Sequence, residues 1–262
     1  MTDVPSPSSI LVDVELPDPA PFSSDLVDVL ASLRVVVLGW YAVPEQTSPE
    51  QARDQFGDQA AAALDAVANQ FKAAGAEVTT RLVFTGNKFD TLTRISTEED
   101  CDAVLIPGPM RPLKKVLVPL RGMHNAARIV PFVADLIQDS SAVQDGTTDV
   151  TLLHILEPDE TEAAAHEHVL QPTADLMTSH GLDAGLLRLE TVESDAPADT
   201  IVETSKDHDL VVLGETEPTV RDILFGSVPE RVVKTAHVPV VMVRHEEEDV
   251  DMAERATQTG RS

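Results

Sequence analysis

One stretch near the C-terminus combines residue types that bind anions. An apolar run ends at Gly214, a polar loop follows, and the letters GSVPE at 226–230 open a predicted helix. Ser227 suits the N-cap, Pro229 lies in the first turn where no amide partner is needed, and Glu230 completes a capping box. Backbone N–H groups at such a helix start point outward and favour phosphate. The pattern predicts an anion site, but a capping box needs no ligand, and Glu230 can engage the same N–H groups.

Other residues capable of chemistry are less well arranged. His166, His168 and His180 fall on one predicted helix, whereas metal ligands on a helix need a spacing of three or four residues on one face. We expect these histidines to face solvent and predict no metal site. Cys101 is the single cysteine, which excludes an internal disulfide and a cysteine metal cluster. It precedes an apolar run, so we expect it to pack as a small apolar residue.

The elements that must position these residues alternate along the chain. Apolar runs of strand length separate longer helical patterns, which is typical of a parallel sheet built from βαβ units. Strands are predicted at Ile10–Leu16, Arg34–Tyr41, Glu77–Phe84, Ala103–Ile106, Lys115–Leu120, Val150–Leu156, Leu186–Val192, Leu210–Leu213 and Val240–Val243. Helices are predicted at Ser23–Leu33, Pro49–Ala74, Phe89–Ser96, Asn125–Gln138, Glu160–His180, Ala198–Lys206 and Pro229–Ala236.

The order of elements suggests an internal repeat. The letters CDAVLI at 101–106 parallel HDLVVL at 208–213, each with an Asp before an apolar strand. We therefore divide the chain into a first lobe (residues 1–112), a second lobe (113–245) and an acidic tail (246–262) that we expect to be mobile. The first lobe has no counterpart of residues 215–243 and no Gly-Ser loop, so we expect no site in it. Two parallel sheets are predicted, one for each lobe.

Acidic residues dominate the composition. Asp and Glu number 45 against 19 Lys and Arg, and the formal net charge is −26. Such a surface repels itself at low salt and is well screened near 1 M, where the Debye length falls to about 3 Å. This balance favours a halophilic protein adapted to a salty cytosol. It also argues against nucleic acid as a partner, because no basic stripe can neutralise phosphates.

The chain lacks signals for membrane insertion or export. No apolar run approaches the ~20 residues that a membrane-spanning helix needs. The first nine residues have neither the basic nor the apolar region of a signal peptide. We therefore predict a cytoplasmic protein that does not itself span a membrane.

The second lobe resembles a universal stress protein domain. The strand ending at Gly214, the segment GSVPERV from Gly226 and the segment HVPVVMVR at 237–244 are similar to the C-terminal part of such domains. The strand Val116–Leu120 is similar to their first strand. The resemblance implies an α/β fold of two tandem open parallel-sheet lobes, of the adenine-nucleotide alpha-hydrolase-like type, and a role in stress responses. The first lobe then looks like a degenerate, truncated copy.

The resemblance also implies where a nucleotide site would lie. ATP-binding members of the family carry Gly-x-x-Gly, a spacer and Gly-Ser or Gly-Thr, together with an Asp two residues after the first-strand proline. The positions that match are Pro119, Gly214, Gly226, Ser227 and Val228. The candidate cofactors are ATP, AMP or another adenine nucleotide.

Three departures weaken that site, and the first is that the stretch between Gly214 and Gly226 is one residue short. Glu217 stands at the second glycine, where it adds bulk and like-charge repulsion against phosphates. Arg121 replaces the Asp and offers donors instead of a carboxylate acceptor. We expect ordinary ATP binding to be lost. The alternative left open is that Arg121 holds a different anion above the helix start at Ser227.

These features favour a non-enzymatic regulatory or scaffold protein. The resemblance implies pairing through the last strand, so we predict a homodimer through an edge strand at Val240–Val243, unless the two lobes imitate that dimer within one chain. An alternative is a cytosolic regulatory subunit of a membrane transporter, because Val118–Gly122 resembles the domain version attached to some transporters. An ATP-hydrolysing or adenylating enzyme is the third reading. Against this reading, the sequence shows no identifiable metal site or group of basic residues that could support phosphoryl chemistry.

Overall fold

The structure is a computed structural model that describes residues 8–44, 46–109, 111–138, 148–214 and 227–244. The strands are β1 (Ser9–Leu16), β2 (Arg34–Ala42), β3 (Glu77–Thr85), β4 (Ala103–Ile106), β5 (Lys115–Leu120), β6 (Asp149–Leu156), β7 (Leu187–Glu193), β8 (Leu210–Gly214) and β9 (Val240–Val243). The helices are α1 (Ser24–Leu30), α2 (Pro49–Ala73), α3 (Lys88–Glu98), α4 (Met123–Gln138), α5 (Glu162–Ala165), α6 (Gln171–Ser179), α7 (Pro197–Ser205) and α8 (Ser227–Thr235). The predicted tail, 246–262, lies outside the described residues.

Within the described ranges, nine strands form one sheet in the order β3-β2-β1-β4-β9-β8-β5-β6-β7. Neighbouring strands run parallel in both halves of the sheet, from β3 to β4 and from β9 to β7. The exception is the central pair β4 and β9, which is antiparallel. The predicted α/β class with a largely parallel sheet is confirmed.

The central pair corrects two predictions about the last strand. Val240–Val243 pairs with β8 on one side and, residue for residue, with Ala103–Ile106 on the other. The two predicted parallel sheets are joined into one by this antiparallel pair, and Val240–Val243 is not the predicted edge strand. Its backbone N–H and C=O groups are used within the chain, so they are not free to pair with a second copy. The truncated first lobe leaves the edge of β4 open, and the last strand of the same chain fills it.

Apolar side chains cover both faces of the sheet because the strands alternate between two buried layers. In β2, Val35 and Val37 enter a layer formed with α1, α2, α4 and α6. Val36 and Leu38 enter the opposite layer, formed with α3, α7 and α8. Both layers run through the junction of β4 and β9, where all eight paired residues are buried. The division into lobes at residue 112 therefore stays a prediction, because the core does not stop there.

Two aspartates hold corresponding places in the sheet. Asp102, before β4, accepts a hydrogen bond at Oδ2 from the Ser9 N–H at 2.6 Å. Asp209, before β8, accepts at Oδ2 from the Lys114 and Lys115 N–H groups at 2.9 and 3.0 Å. Each carboxylate ties the start of its own strand to the start of the neighbouring parallel strand.

Helix ends follow their local sequence. Ser48 accepts at its hydroxyl from the Gln51 N–H at 3.2 Å and caps α2. Gly75 follows α2 with a φ of +98°, a conformation that favours glycine. The predicted helix Glu160–His180 is interrupted by a π-helical turn, His166–Leu170. Pro172 lies just after this turn, where its missing N–H and its ring disfavour a regular helix.

Membrane insertion finds no support in these elements. None of the helices in the described ranges is long and apolar enough to cross a bilayer.

Candidate functional site

A cavity of about 670 Å³ opens at the carboxyl ends of β5, β6, β7 and β8. Its floor is apolar and comes from Leu153, Ile155, Ile201, Leu213 and Val228. The chain leaves β5 toward β6 on one side and returns to β8 on the other, so the cavity lies at a switch point in strand order. Open parallel sheets usually bind ligands at such a point.

Four residues of the predicted site line this cavity together: Pro119, Arg121, Gly214 and Val228. Gly226, and with it Glu217, lies outside the described residues. Ser227 is the first residue of α8, and only its backbone is described. The end of β8 and the start of α8 thus meet above β5. Whether these residues hold a ligand stays a prediction.

Asn125 is a cavity residue whose role the sequence did not reveal. A Cβ at position 214 would lie 2.7 Å from Asn125 Nδ2, so only glycine fits there without moving this amide. Asn125 Oδ1 is buried and has no hydrogen-bond partner among the described residues. The signal available in the sequence was an amide side chain at the start of the helix that follows the first strand of the second lobe.

Negative charge surrounds the opening of the cavity. Five carboxylates line it: Glu157, Asp159, Glu160, Glu193 and Asp195. Arg121, which is exposed, is the one cation among the described lining residues. Three of these residues lie in the loop after β6, Glu193 ends β7 and Asp195 lies just beyond it, so a search for acidic residues at strand ends would have found them.

One side of the opening is held by a buried histidine. His154 on β6 is 2% exposed. Its Nδ1 lies 3.0 Å from the carbonyl oxygen of Leu120, and its Nε2 lies 2.9 Å from Glu160 Oε2. The same Glu160 oxygen accepts the Glu157 N–H at 2.9 Å. This backbone hydrogen bond, followed by the contact with His154, lowers the pKa of Glu160. The loop at 157–160 is thereby fixed to the end of β5.

A family model for universal stress proteins matches residues 112–244, about half of the chain and the whole of the cavity-bearing part. The chain belongs to the universal stress protein family. This match confirms the resemblance to universal stress proteins that the sequence of the second lobe shows.

Solved structures extend the likeness of this universal stress protein to the whole chain. A universal stress protein from Archaeoglobus fulgidus is 14% identical and covers 93% of this chain and 98% of its own, with a TM-score of 0.61. A functionally unknown protein from Pseudomonas aeruginosa is 15% identical and covers 96% and 98%, with a TM-score of 0.54. At such identities the likeness shows the fold alone.

A curated relative matches over a short segment. A universal stress protein of Methanocaldococcus jannaschii is 51% identical over 51 residues, which make up 18% of this chain. The match spans about 30% of the length of that relative. It supports the family and carries nothing further about activity.

The helix start of this universal stress protein is tied to its neighbours. Glu230 pairs with Lys234 one turn later. Arg231 Nη2 lies 2.6 Å from Asp199 Oδ1 in an exposed ion pair that links α8 to α7.

Metal and thiol chemistry find no support in the described residues. No group of three or more His, Cys, Asp or Glu side chains in those ranges could hold a metal ion. His166, His168 and His180 are all exposed. Burial raises the pKa of the Cys101 thiol to about 12, so it is a poor nucleophile at neutral pH.

The first lobe has a smaller cavity of about 270 Å³ at the end of β1. Its floor contains Asp13, which is 1% exposed. Asp13 Oδ1 accepts the Trp40 Nε1–H at 2.6 Å, and Lys88 Nζ lies 2.6 Å from Oδ2 as an ion pair. Burial raises the pKa of Asp13, while Lys88 and Trp40 oppose that rise. Both carboxylate oxygens already have protein partners. The expectation of no site in this lobe stays a prediction.

Proposed function

We propose that this universal stress protein is a non-enzymatic regulatory or scaffold protein whose second lobe binds a small molecule in the cavity between β5 and β8. The cavity would accept adenine nucleotides only weakly. Its volume of about 670 Å³ suits a ligand of nucleotide size. The apolar floor could bury a base, and the N–H groups at the start of α8 could meet an anion.

The charge at the opening is the observation that carries the proposal of weak nucleotide binding. Five carboxylates face one guanidinium, that of Arg121. Two like charges 4 Å apart repel by about 1 kcal/mol in bulk water and about 4 kcal/mol at an effective dielectric of 20. A triphosphate entering this opening therefore meets more repulsion than Arg121 alone can offset.

The cavity also gives little support to catalysis. Ser194 is the one hydroxyl side chain among its described lining residues. Its oxygen accepts the Ala196 N–H at 3.0 Å and contacts the Thr200 hydroxyl at 2.7 Å, so its described partners include no base. A nucleophilic serine needs such a base to take its proton.

Titration calorimetry in molar KCl tests the proposal. We expect ATP, AMP and cyclic dinucleotides to bind more weakly than about 100 μM, which corresponds to about −5.5 kcal/mol. Glu193→Gln removes one carboxylate of the opening and should tighten ATP binding about threefold to tenfold. Glu190→Gln, on the same strand but outside the cavity lining, is the control and should change little.

A single result would contradict weak nucleotide binding. A low-micromolar dissociation constant for ATP in the unmodified protein, lost in Gly214→Val, would show an intact nucleotide site. The valine would displace Asn125 and narrow the floor, since even a Cβ there lies 2.7 Å from Asn125 Nδ2. That outcome would overturn the proposal of weak binding.

The transporter alternative depends on Val118–Gly122, a segment in which Arg121 is exposed at the cavity opening. A regulatory subunit would present this residue to its partner. Co-purification with membranes that is lost in Arg121→Ala would favour the alternative. Absence of co-purification would leave a free scaffold protein, and co-purification unaffected by that substitution would show that Arg121 is not the contact.

A further inference from the structure

His154 has two hydrogen-bond partners that are both acceptors. The Leu120 carbonyl oxygen has no proton to give, and neither does an ionised Glu160 carboxylate. The nitrogen-to-oxygen distances are 3.0 and 2.9 Å, which are those of real hydrogen bonds. A neutral imidazole carries a single N–H and could satisfy one partner only. Both contacts together require two protons on the ring.

The second proton could in principle lie on Glu160 instead. Glu160 Oε2, however, also accepts the Glu157 N–H at 2.9 Å, which favours the ionised carboxylate. The lowered pKa of Glu160 agrees with this assignment. Its side chain also keeps 21% exposure, so water contributes to the stability of its charge. The proton therefore belongs to His154, which makes the contact a largely buried ion pair.

His208 offers the contrast within the same sheet. It is also buried, at 6% exposure. Its Nδ1 lies 2.9 Å from the Thr204 carbonyl oxygen and its Nε2 lies 3.0 Å from the Thr151 hydroxyl. Because a hydroxyl can donate, a neutral His208 satisfies both partners, with Nδ1–H donating and Nε2 accepting. Two buried histidines of one sheet are thus expected to differ in charge.

We propose that His154 is a positioning residue whose doubly protonated ring clamps the loop at 157–160 onto the end of β5. This loop forms one wall of the cavity, with Glu157, Pro158, Asp159 and Glu160 all in the lining. When His154 loses one proton, one ring nitrogen becomes an acceptor that faces another acceptor, either the Leu120 carbonyl or Glu160. That contact breaks, and the loop at 157–160 is held less tightly. The inference deepens the proposed function, since it names what holds that wall, and it rests on the cavity as the ligand site.

The titratable and charged groups around His154 come from several elements. Glu157, Asp159 and Glu160 lie on the loop beside it. On the neighbouring elements are His168 of the π-helical turn, which acts electrostatically on Glu160, Arg121 after β5 and Glu193 at the end of β7. The carboxylates outnumber the cations, and Glu160 is in direct contact.

NMR spectroscopy tests the clamp without any ligand. At neutral pH we expect both imidazole nitrogens of His154 to carry hydrogen and a single nitrogen of His208 to do so. The Glu157 amide should be protected from hydrogen exchange at low pH. As the pH rises through the range in which histidine charge changes, its protection factor should fall, and it should level off once the ring is neutral.

Glu160→Gln separates a proton-dependent clamp from a merely structural one. The carboxamide oxygen can take the place of Oε2 and accept from both the Glu157 N–H and His154 Nε2–H, but it carries no charge that stabilises the protonated ring. We therefore expect this variant to lose the protection of the loop at a lower pH than the unmodified chain does. Glu157→Gln alters an adjacent side chain without touching the ring and should retain the pH dependence.

Two results would overturn the inference. One is a neutral His154 in the unmodified protein at neutral pH, with hydrogen on a single nitrogen. The other is a Glu157 amide whose protection has the same pH dependence in Glu160→Gln as in the unmodified chain. Neither measurement involves nucleotide, so failure of ATP to bind bears on the proposed function alone.

Discussion

The charge of Asp13 depends on two neighbouring side chains. It is fully enclosed by protein, and Lys88 and Trp40 supply its two contacts. Lys88 also lies 5.3 Å above the Trp40 ring, so the three side chains form one unit. The sequence showed an Asp inside an apolar strand, but the partners come from β2 and α3. Only the register of β1 with β2, in which Asp13 stands opposite Leu38, brings Trp40 within reach.

Removing Lys88 should therefore cost stability in a pH-dependent way. Lys88→Met leaves Asp13 buried without its ion-pair partner, and we expect a loss of about 3 kcal/mol in the free energy of unfolding at pH 7. Burial already raises the pKa of Asp13 in the folded state, and this change raises that pKa further. A carboxyl with a raised folded pKa favours the folded state at low pH, and that advantage is lost as pH rises.

The deficit of Lys88→Met should consequently shrink as the pH falls toward the ordinary range of Asp. Urea unfolding in molar KCl at pH 7 and at about pH 4.5 measures it. Lys206→Met is the control, because Lys206 forms an exposed pair with Glu203 and should matter by less than about 0.5 kcal/mol. An equal deficit at both pH values would contradict the charge argument.

At the scale of elements, local patterns predicted where strands and helices lie, but not all of their partners. Lys115–Leu120, Ala103–Ile106 and Val240–Val243 were predicted with the bounds that the structure has. Their apolar runs and flanking polar residues are local signals. The antiparallel pairing of β4 with β9 joins residues more than a hundred positions apart, and no local pattern specifies it.

The candidate site divides in the same way. Pro119, Gly214 and Val228 could be placed at one sheet edge because strand ends and helix starts are legible in the sequence. Asn125 and His154 could not, since their importance comes from contacts across β5 that depend on side-chain direction. The acidic residues at the cavity opening were partly predictable. Their positions at or after strand ends can be read from the sequence, but their convergence on one cavity depends on the tertiary structure.

Arg244 secures the junction of β4 and β9. Its backbone N–H donates to the Asp102 carbonyl oxygen at 2.7 Å. Its guanidinium donates to the carbonyl oxygens of Ser96 and Cys101 at 3.0 and 3.1 Å and to the Thr97 hydroxyl at 2.9 Å. Arg244→Ala leaves these carbonyl groups without a charged donor. We expect it to cost about 2 kcal/mol in the free energy of unfolding.

Chemical denaturation of Arg244→Ala beside Arg188→Ala checks the role of the junction. Arg188 pairs with Asp149 on the surface, where its side chain is 52% exposed, so its removal should cost no more than about 0.5 kcal/mol. A loss for Arg244→Ala no larger than for Arg188→Ala would mean that the strand pairing alone holds β9 in place.

At the scale of the whole molecule, one continuous sheet carries a large excess of negative charge. The apolar layers pass through the junction of β4 and β9, so the described part of the chain shares its core across both lobes. The formal charge of −26 is spread over a surface with few cations. Folding brings these charges together, and their mutual repulsion opposes the compact state.

Stability should therefore depend strongly on salt. Raising KCl from about 0.1 M to about 1 M shortens the Debye length from about 10 Å to about 3 Å and screens this repulsion. We expect the midpoint of thermal unfolding to rise by roughly 5–10 °C, equivalent to about 2–3 kcal/mol for a chain of this size.

NaCl at the same concentrations should act alike, since screening depends on ionic strength. Sucrose of equal osmolality, an uncharged control, separates screening from solute exclusion. If the midpoint is the same in low and high KCl, or if sucrose reproduces the whole rise, the acidic surface does not limit stability, and the inference of a protein adapted to a salty cytosol fails with it.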